Sequence, residues 1–212
     1  MEGLTMQRIP RILGVLMLLA APPVLAIPDE SGALVDPNAA AAGVAEDVEL
    51  SARLHYNVGF ETFEKTQRLE MQAGNLKGAA LRRHEADVRK GYTEARERFR
   101  AAAQANPQMK EAWNMIGYTS RRLGDYEESL AAYDRALSLA PDYPEAIEYR
   151  AELFLLTGRF DEVKAAHAKL KAISPSYADV LLAAMKAWVA NEDAPGAKAP
   201  GRDAFVAWIQ TL

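Results

Sequence analysis

Pro107, Pro141 and Pro175 stand 34 residues apart. Other positions share the offset. Tyr92, Tyr126 and Phe160 align, as do Ala95, Ser129 and Val163, then Phe99, Tyr133 and His167, then Gly117, Ala151 and Met185. Gly124 matches Gly158. From Glu46 onward strand signals are nearly absent, and the apolar residues between the prolines and glycines follow helical spacing. A fixed period of this length marks units that cannot bury their apolar faces alone and must stack on their neighbours. The expected fold is therefore all-α, a short helix–turn–helix solenoid.

The stretch from Lys110 to Tyr143 shows why each position recurs. Trp113 and Ile116 lie one turn apart on one helix face. Gly117 beside them lets a second helix approach closely, and Gly124 permits the turn. Asp125 and Glu128 have the spacing of a capping box for the next helix. Ser129, Tyr133, Ala136 and Leu137 make a stripe of small and large residues facing the first helix. Pro141 stops the second helix, and Asp142 with Glu145 is placed to cap the one after. With Trp113, Ile116, Gly117, Gly124, Tyr126, Tyr133, Ala136 and Pro141 on its signature positions, this stretch resembles the tetratricopeptide repeat family. Ser120 and Ser129 depart from the aromatic residue and alanine usual there.

The next unit, Pro144 to Tyr177, keeps Ala151, Gly158, Phe160 and Pro175 but has Ile147, Arg150, Val163, His167 and Leu170 elsewhere in the pattern. Wider residues in the packing stripe predict a looser or shifted helix pair. Ala178 to Asn191 resembles a first helix with no second, as expected of a cap on the last apolar face. The first unit is stretched. Gly59 to Ala95 spans 36 residues against 12 from Gly117 to Ser129, an insertion of 24. Turn residues at 73–78 predict an elongated first hairpin in which both helices overshoot. The rival reading turns at Lys90-Gly91, which would put Arg82 and Arg83 where Ile116 and Gly117 pack. After the linker at 192–201, residues 202–212 place Phe205, Trp208, Ile209 and Leu212 on one helix face. This helix either folds back on the solenoid or docks on a partner, and an exposed tryptophan stripe favours folding back.

Ahead of the repeats, residues 1–26 read as a secretory signal. Arg8 and Arg11 precede the apolar run Ile12 to Ala21, Pro22 and Pro23 break it, and Ala26 supplies the small residue at the cleavage site. An uncleaved anchor is the alternative; the 16 residues from Ile12 to Ile27 fall short of the roughly 20 that span a bilayer. The chain then divides into a signal at 1–26, a flexible linker at 27–45, a repeat domain at 46–192 and a linker with a C-terminal helix at 193–212. The expected location is the periplasm or the outside of the cell, with no stable membrane span after cleavage.

Composition excludes much chemistry. Cysteine is absent, which removes disulfides, thiolate metal sites and cysteine nucleophiles. The three histidines, His55, His84 and His167, are not at ligand spacing, so no metal and no cofactor is expected. No nucleotide-binding glycine pattern or hydrolase signature is present, and no enzymatic function is expected. The net charge of −4 gives no reason to expect a nucleic acid partner. Locally, residues 65–90 hold seven basic residues against three acids. They form either a solvated charged hairpin or a surface for an anionic partner. No aromatic residue lies among them, which argues against single-stranded nucleic acid.

The family resemblance implies a non-enzymatic adaptor that holds a protein or peptide ligand in the concave groove lined by the first helix of each unit. The matching groove positions are Tyr56, Phe60 and Phe63, then Asn114, Tyr118, Arg121 and Arg122, then Glu148, Glu152 and Leu155. Aromatic residues beside paired arginines offer apolar anchoring and carboxylate recognition. Alternatively the arginines pair with neighbouring acids. A different use of the same face is a small ligand or cell-wall glycan held by Tyr56, Phe60 and Tyr118.

Overall fold

The computed structural model describes the backbone of residues 37–212, with side chains from residue 47 onward. The export signal expected at 1–26 and the linker residues 27–36 lie outside the described residues. Eight helices lie among the described residues: α1 (Pro37–Met71), α2 (Gly78–Ala105), α3 (Lys110–Leu123), α4 (Tyr126–Leu139), α5 (Pro144–Leu156), α6 (Phe160–Ile173), α7 (Pro175–Val189) and α8 (Arg202–Ile209). They pack as successive antiparallel pairs, α1 on α2, α3 on α4 and α5 on α6, with α7 against both α5 and α6.

α1 begins within the segment expected to be a flexible linker. Proline suits the first helical turn, and the alanine run Ala39–Ala42 that follows has the highest helix propensity of any residue type. α1 therefore runs 35 residues and α2 28, about twice the length of the later helices. The turn between them falls at 72–77, as the elongated hairpin requires.

The repeat positions act as their chemistry dictates. A Cβ on Gly117 would sit 2.6 Å from the Tyr133 ring, so only glycine lets α4 lie this close to α3. Gly124 takes the left-handed conformation that ends α3, with φ of 87°. Ser129, in place of alanine, donates its hydroxyl to the Gly117 carbonyl at 2.8 Å. Ser120 donates to Glu128 at 2.9 Å.

The capping boxes do not form. Asp125 makes no side-chain cap on α4, and the residue capping α5 is Tyr143. Charges from other helices claim the acids instead. Arg96 of α2 pairs with both Asp125 and Glu128, and Arg100 of α2 adds a second guanidinium to Glu128. Burial alone would raise the Glu128 pKa, but the hydrogen bonds from Arg100 and Ser120 outweigh it and hold the carboxyl below its ordinary value. Asp142 pairs with Lys169 at 3.0 Å, and Glu145 accepts the Tyr177 hydroxyl at 2.8 Å.

In the degenerate unit, Arg150 stands where the preceding unit buries Ile116. Its guanidinium turns outward to Asp134 at 2.5 Å. A cleft of about 560 Å³ opens there between α4, α5 and α6, floored by Leu137, Ile147 and Phe154. The wider stripe residues Val163, His167 and Leu170 are themselves buried and do not line this cleft.

The far end is closed. The Phe205 ring of α8 stacks on Phe160 at 4.7 Å, beside Trp188 of α7. Trp208 lies edge-on to His167. The C-terminal helix thus folds back on the solenoid, and α7 caps the array as expected.

Candidate partner-binding surface

The first helix of each unit, α1, α3, α5 and finally α7, carries the residues that the repeat register turns toward the concave side. Of the ten residues named from the sequence, Tyr56, Phe60, Phe63 and Tyr118 pack in one apolar core and Leu155 in the next. All ten except the half-buried Phe60 are enclosed, with exposures of 7% or less.

An aromatic ladder runs across this side. Tyr56 stacks with Phe60, Phe60 meets Phe63, and Phe63 meets Tyr118 edge-on at 5.1 Å. Tyr118 then packs edge-on against Tyr149 of α5, again at 5.1 Å. Edge-to-face geometry of this kind suits the ring quadrupoles and fixes the spacing of the three helices. Leu155 lies in the apolar core of the α5–α7 end.

Both arginines are paired. Arg121 meets Glu152 of α5 in an ion pair at 2.5 Å, and its guanidinium lies 5.0 Å from the Tyr118 ring centre. Arg122 pairs with Glu70, near the end of α1, and lies over the Tyr92 ring. Tyr92 in turn donates its hydroxyl to Glu70 at 2.8 Å. Each guanidinium is sealed from solvent, which makes an unpaired state costly.

A second acid, Glu148, sits beside Glu152. Burial pushes its carboxyl well above the ordinary carboxylate range, and the Glu152 charge adds to this. Burial also raises Glu152, against the pull of Arg121 and Arg122. Burial thus favours the neutral form of Glu148, while the ion pair with Arg121 favours the charged form of Glu152. Not every polar atom is matched. Asn114 Oδ1, Arg121 Nε and Nη1, and Glu148 Oε1 are buried without a hydrogen-bond partner among the described residues.

This enclosure ends at α7. Advancing Glu145, Glu148, Glu152 and Leu155 by 34 residues gives Asp179, Leu182, Lys186 and Val189. Asp179 and Lys186 are exposed, and Leu182 and Val189 are half-buried. The repeat offset would have found these four. A helix expected only to cap the array offers no groove positions, so none of the four is named from the sequence. No described helix is long and apolar enough to cross a membrane.

A register of 34 residues, paired antiparallel helices and a glycine-mediated close approach define a helical repeat protein of the two-helix class. Residues 83–144 and 115–178 match the tetratricopeptide repeat family, so this stretch of the chain consists of tetratricopeptide repeats. Among curated proteins it is similar to Protein FlbA of Caulobacter vibrioides, 38% identical over 80 residues. That stretch is 38% of this chain and 13% of the relative. The human protein O-mannosyl-transferase TMTC1 is 38% identical over 68 residues, 32% of this chain and 8% of that protein. The TPR repeat-containing thioredoxin TTL4 of Arabidopsis thaliana is 37% identical over 71 residues, 34% of this chain and 10% of that protein. The chain therefore spans only a small part of each of these relatives.

Proposed function

We propose that the protein is a non-catalytic adaptor that holds a segment of a protein partner against the concave side of its repeat array. The observation that carries this reading is the change along that side. From α1 to α5 the concave residues are enclosed and paired with one another, which stiffens the floor. At α7 the same register presents half-buried Leu182 and Val189 between exposed Asp179 and Lys186. Apolar contact flanked by both signs of charge suits a peptide segment, and a rigid floor lowers the ordering cost of binding. The proposed site is therefore the α5–α7 end, with the residues from Tyr56 to Leu155 as its framework. With residues 1–26 read as an export signal, the adaptor would act in the periplasm or outside the cell.

Photocrosslinking in cells tests this. A photoreactive residue at Leu182 is expected to give a discrete adduct with another protein, and one at exposed Glu127 on the outer face of α4 is expected to give none. Adducts confined to the chain itself, or equal labelling from both positions, would overturn the reading.

A further inference from the structure

The overshooting hairpin carries a surface that the repeat array does not use. Its tip is residues 71–83, where α1 ends, the chain turns and α2 begins. Backbone bonds from Gln72 to Leu69 and from Leu76 to Ala73, each 2.9 Å, close the turn. Met71 is 60% exposed and Leu76 is 38% exposed. Lys77, Arg82 and Arg83 surround them, all exposed.

These three cations differ from their neighbours. Lys65, Arg68 and Lys90 each lie near an acid on their own helix, Glu61, Glu64 and Glu94 respectively. Lys77, Arg82 and Arg83 make no ion pair among the described residues. Of the nearby acids, Glu70 is turned inward to Arg122 and Tyr92, and Glu85 and Asp87, one helical turn beyond Arg82 and Arg83, offset part of their charge without pairing with them. The tip itself, residues 71–83, thus combines three cations and no acid with exposed apolar side chains, on a chain whose net charge is −4.

We propose that this tip docks on an anionic lipid surface. Lys and Arg are drawn to the negative potential of such a surface, and long side chains can keep their charges among the headgroups while their stems lie in the apolar boundary. Met71 and Leu76 enter that boundary, a contact that neither a nucleic acid nor a purely acidic polymer rewards. The tip stands apart from the α5–α7 end, so a membrane contact and a partner segment do not compete.

Flotation of the full chain with lipid vesicles tests the proposal. Binding is expected to vesicles containing phosphatidylglycerol, to be weak with phosphatidylcholine alone, and to fall with added salt. Each cation near such a surface strengthens binding roughly fivefold, so K77S/R82S/R83S is expected to lose on the order of a hundredfold. M71S/L76S is expected to weaken binding while leaving its salt dependence. Unchanged circular dichroism and melting temperature would confirm that both variants keep the fold. Three results would overturn the proposal: no binding to phosphatidylglycerol vesicles, equal binding by the triple variant, or tighter binding to soluble polyglutamate than to the vesicles.

Discussion

Arg121 on α3 and Glu152 on α5 form an ion pair enclosed between two consecutive repeats, 31 positions apart in the chain. Removing one partner leaves the other charged and buried. Glu152→Ala is therefore expected to cost about 3–5 kcal/mol in urea unfolding. Replacing both residues with apolar side chains of similar size, as in R121M/E152L, is expected to recover most of that loss. A double variant no more stable than Glu152→Ala would show that the pair's contribution is not one of charge.

Glu148 is expected to make the stability of the array depend on pH. Its folded pKa is raised by burial and by the Glu152 charge, so its contribution to stability is fully present below the ordinary carboxylate pKa of about 4.3. That contribution is lost as pH rises through the folded value. Glu148→Gln removes the titration. The variant is expected to melt at a temperature close to the parent's in mild acid and above it in mild alkali. Parallel melting curves across that range would contradict the assignment.

Gly117 tests the close approach of α3 and α4. An alanine Cβ would lie 2.6 Å from the Tyr133 ring, closer than real carbon contacts, and Tyr133 is fully enclosed. Gly117→Ala is expected to destabilise by about 1–3 kcal/mol through overpacking, despite its better helix propensity. Shrinking the ring in G117A/Y133L is expected to relieve part of the loss. Both are read by chemical denaturation.

The C-terminal helix contributes to the core and is not an appendage. Phe205 has no exposed surface and stacks on Phe160. Phe205→Ala is expected to cost about 3–5 kcal/mol and to speed amide hydrogen exchange in α7 and α8 ahead of α3. Uniform exchange across all repeats would mean that α8 does not cap a separable end.

What could be read from the sequence was whatever depends on a repeated volume. Trp113, Ile116, Gly117, Tyr133 and Ala136 face neighbours supplied by the same period, so their packing followed from the spacing alone. The long hairpin followed from the 24 inserted residues. A short helix near Asn38 was legible in the alanine run, but its fusion into one helix running on to Met71 was not, because proline and glycine on either side argue for a linker. The first capping box failed because its acids are claimed by Arg96 and Arg100, about 28–32 residues away on α2, and the second because Lys169 and Tyr177 take Asp142 and Glu145. The enclosure of the groove residues was equally non-local. The contact from Arg122 to Glu70 spans 52 residues and exists only because α1 runs past the end of an ordinary first helix. Of the two open readings of the arginines, pairing with acids is the one observed.

α2 is one uninterrupted rod of 28 residues, about 42 Å long at 1.5 Å per residue. Its first six residues belong to the hairpin tip, and from Val88 onward it drives Tyr92, Ala95, Phe99 and Ala102 into the core against α1 and α3. With no break between the two parts, the hairpin behaves as a lever whose fulcrum lies inside the repeat array. A force on the tip would be felt as torque at the α2–α3 contact. A partner wedged at the array would in turn fix the angle at which the tip projects.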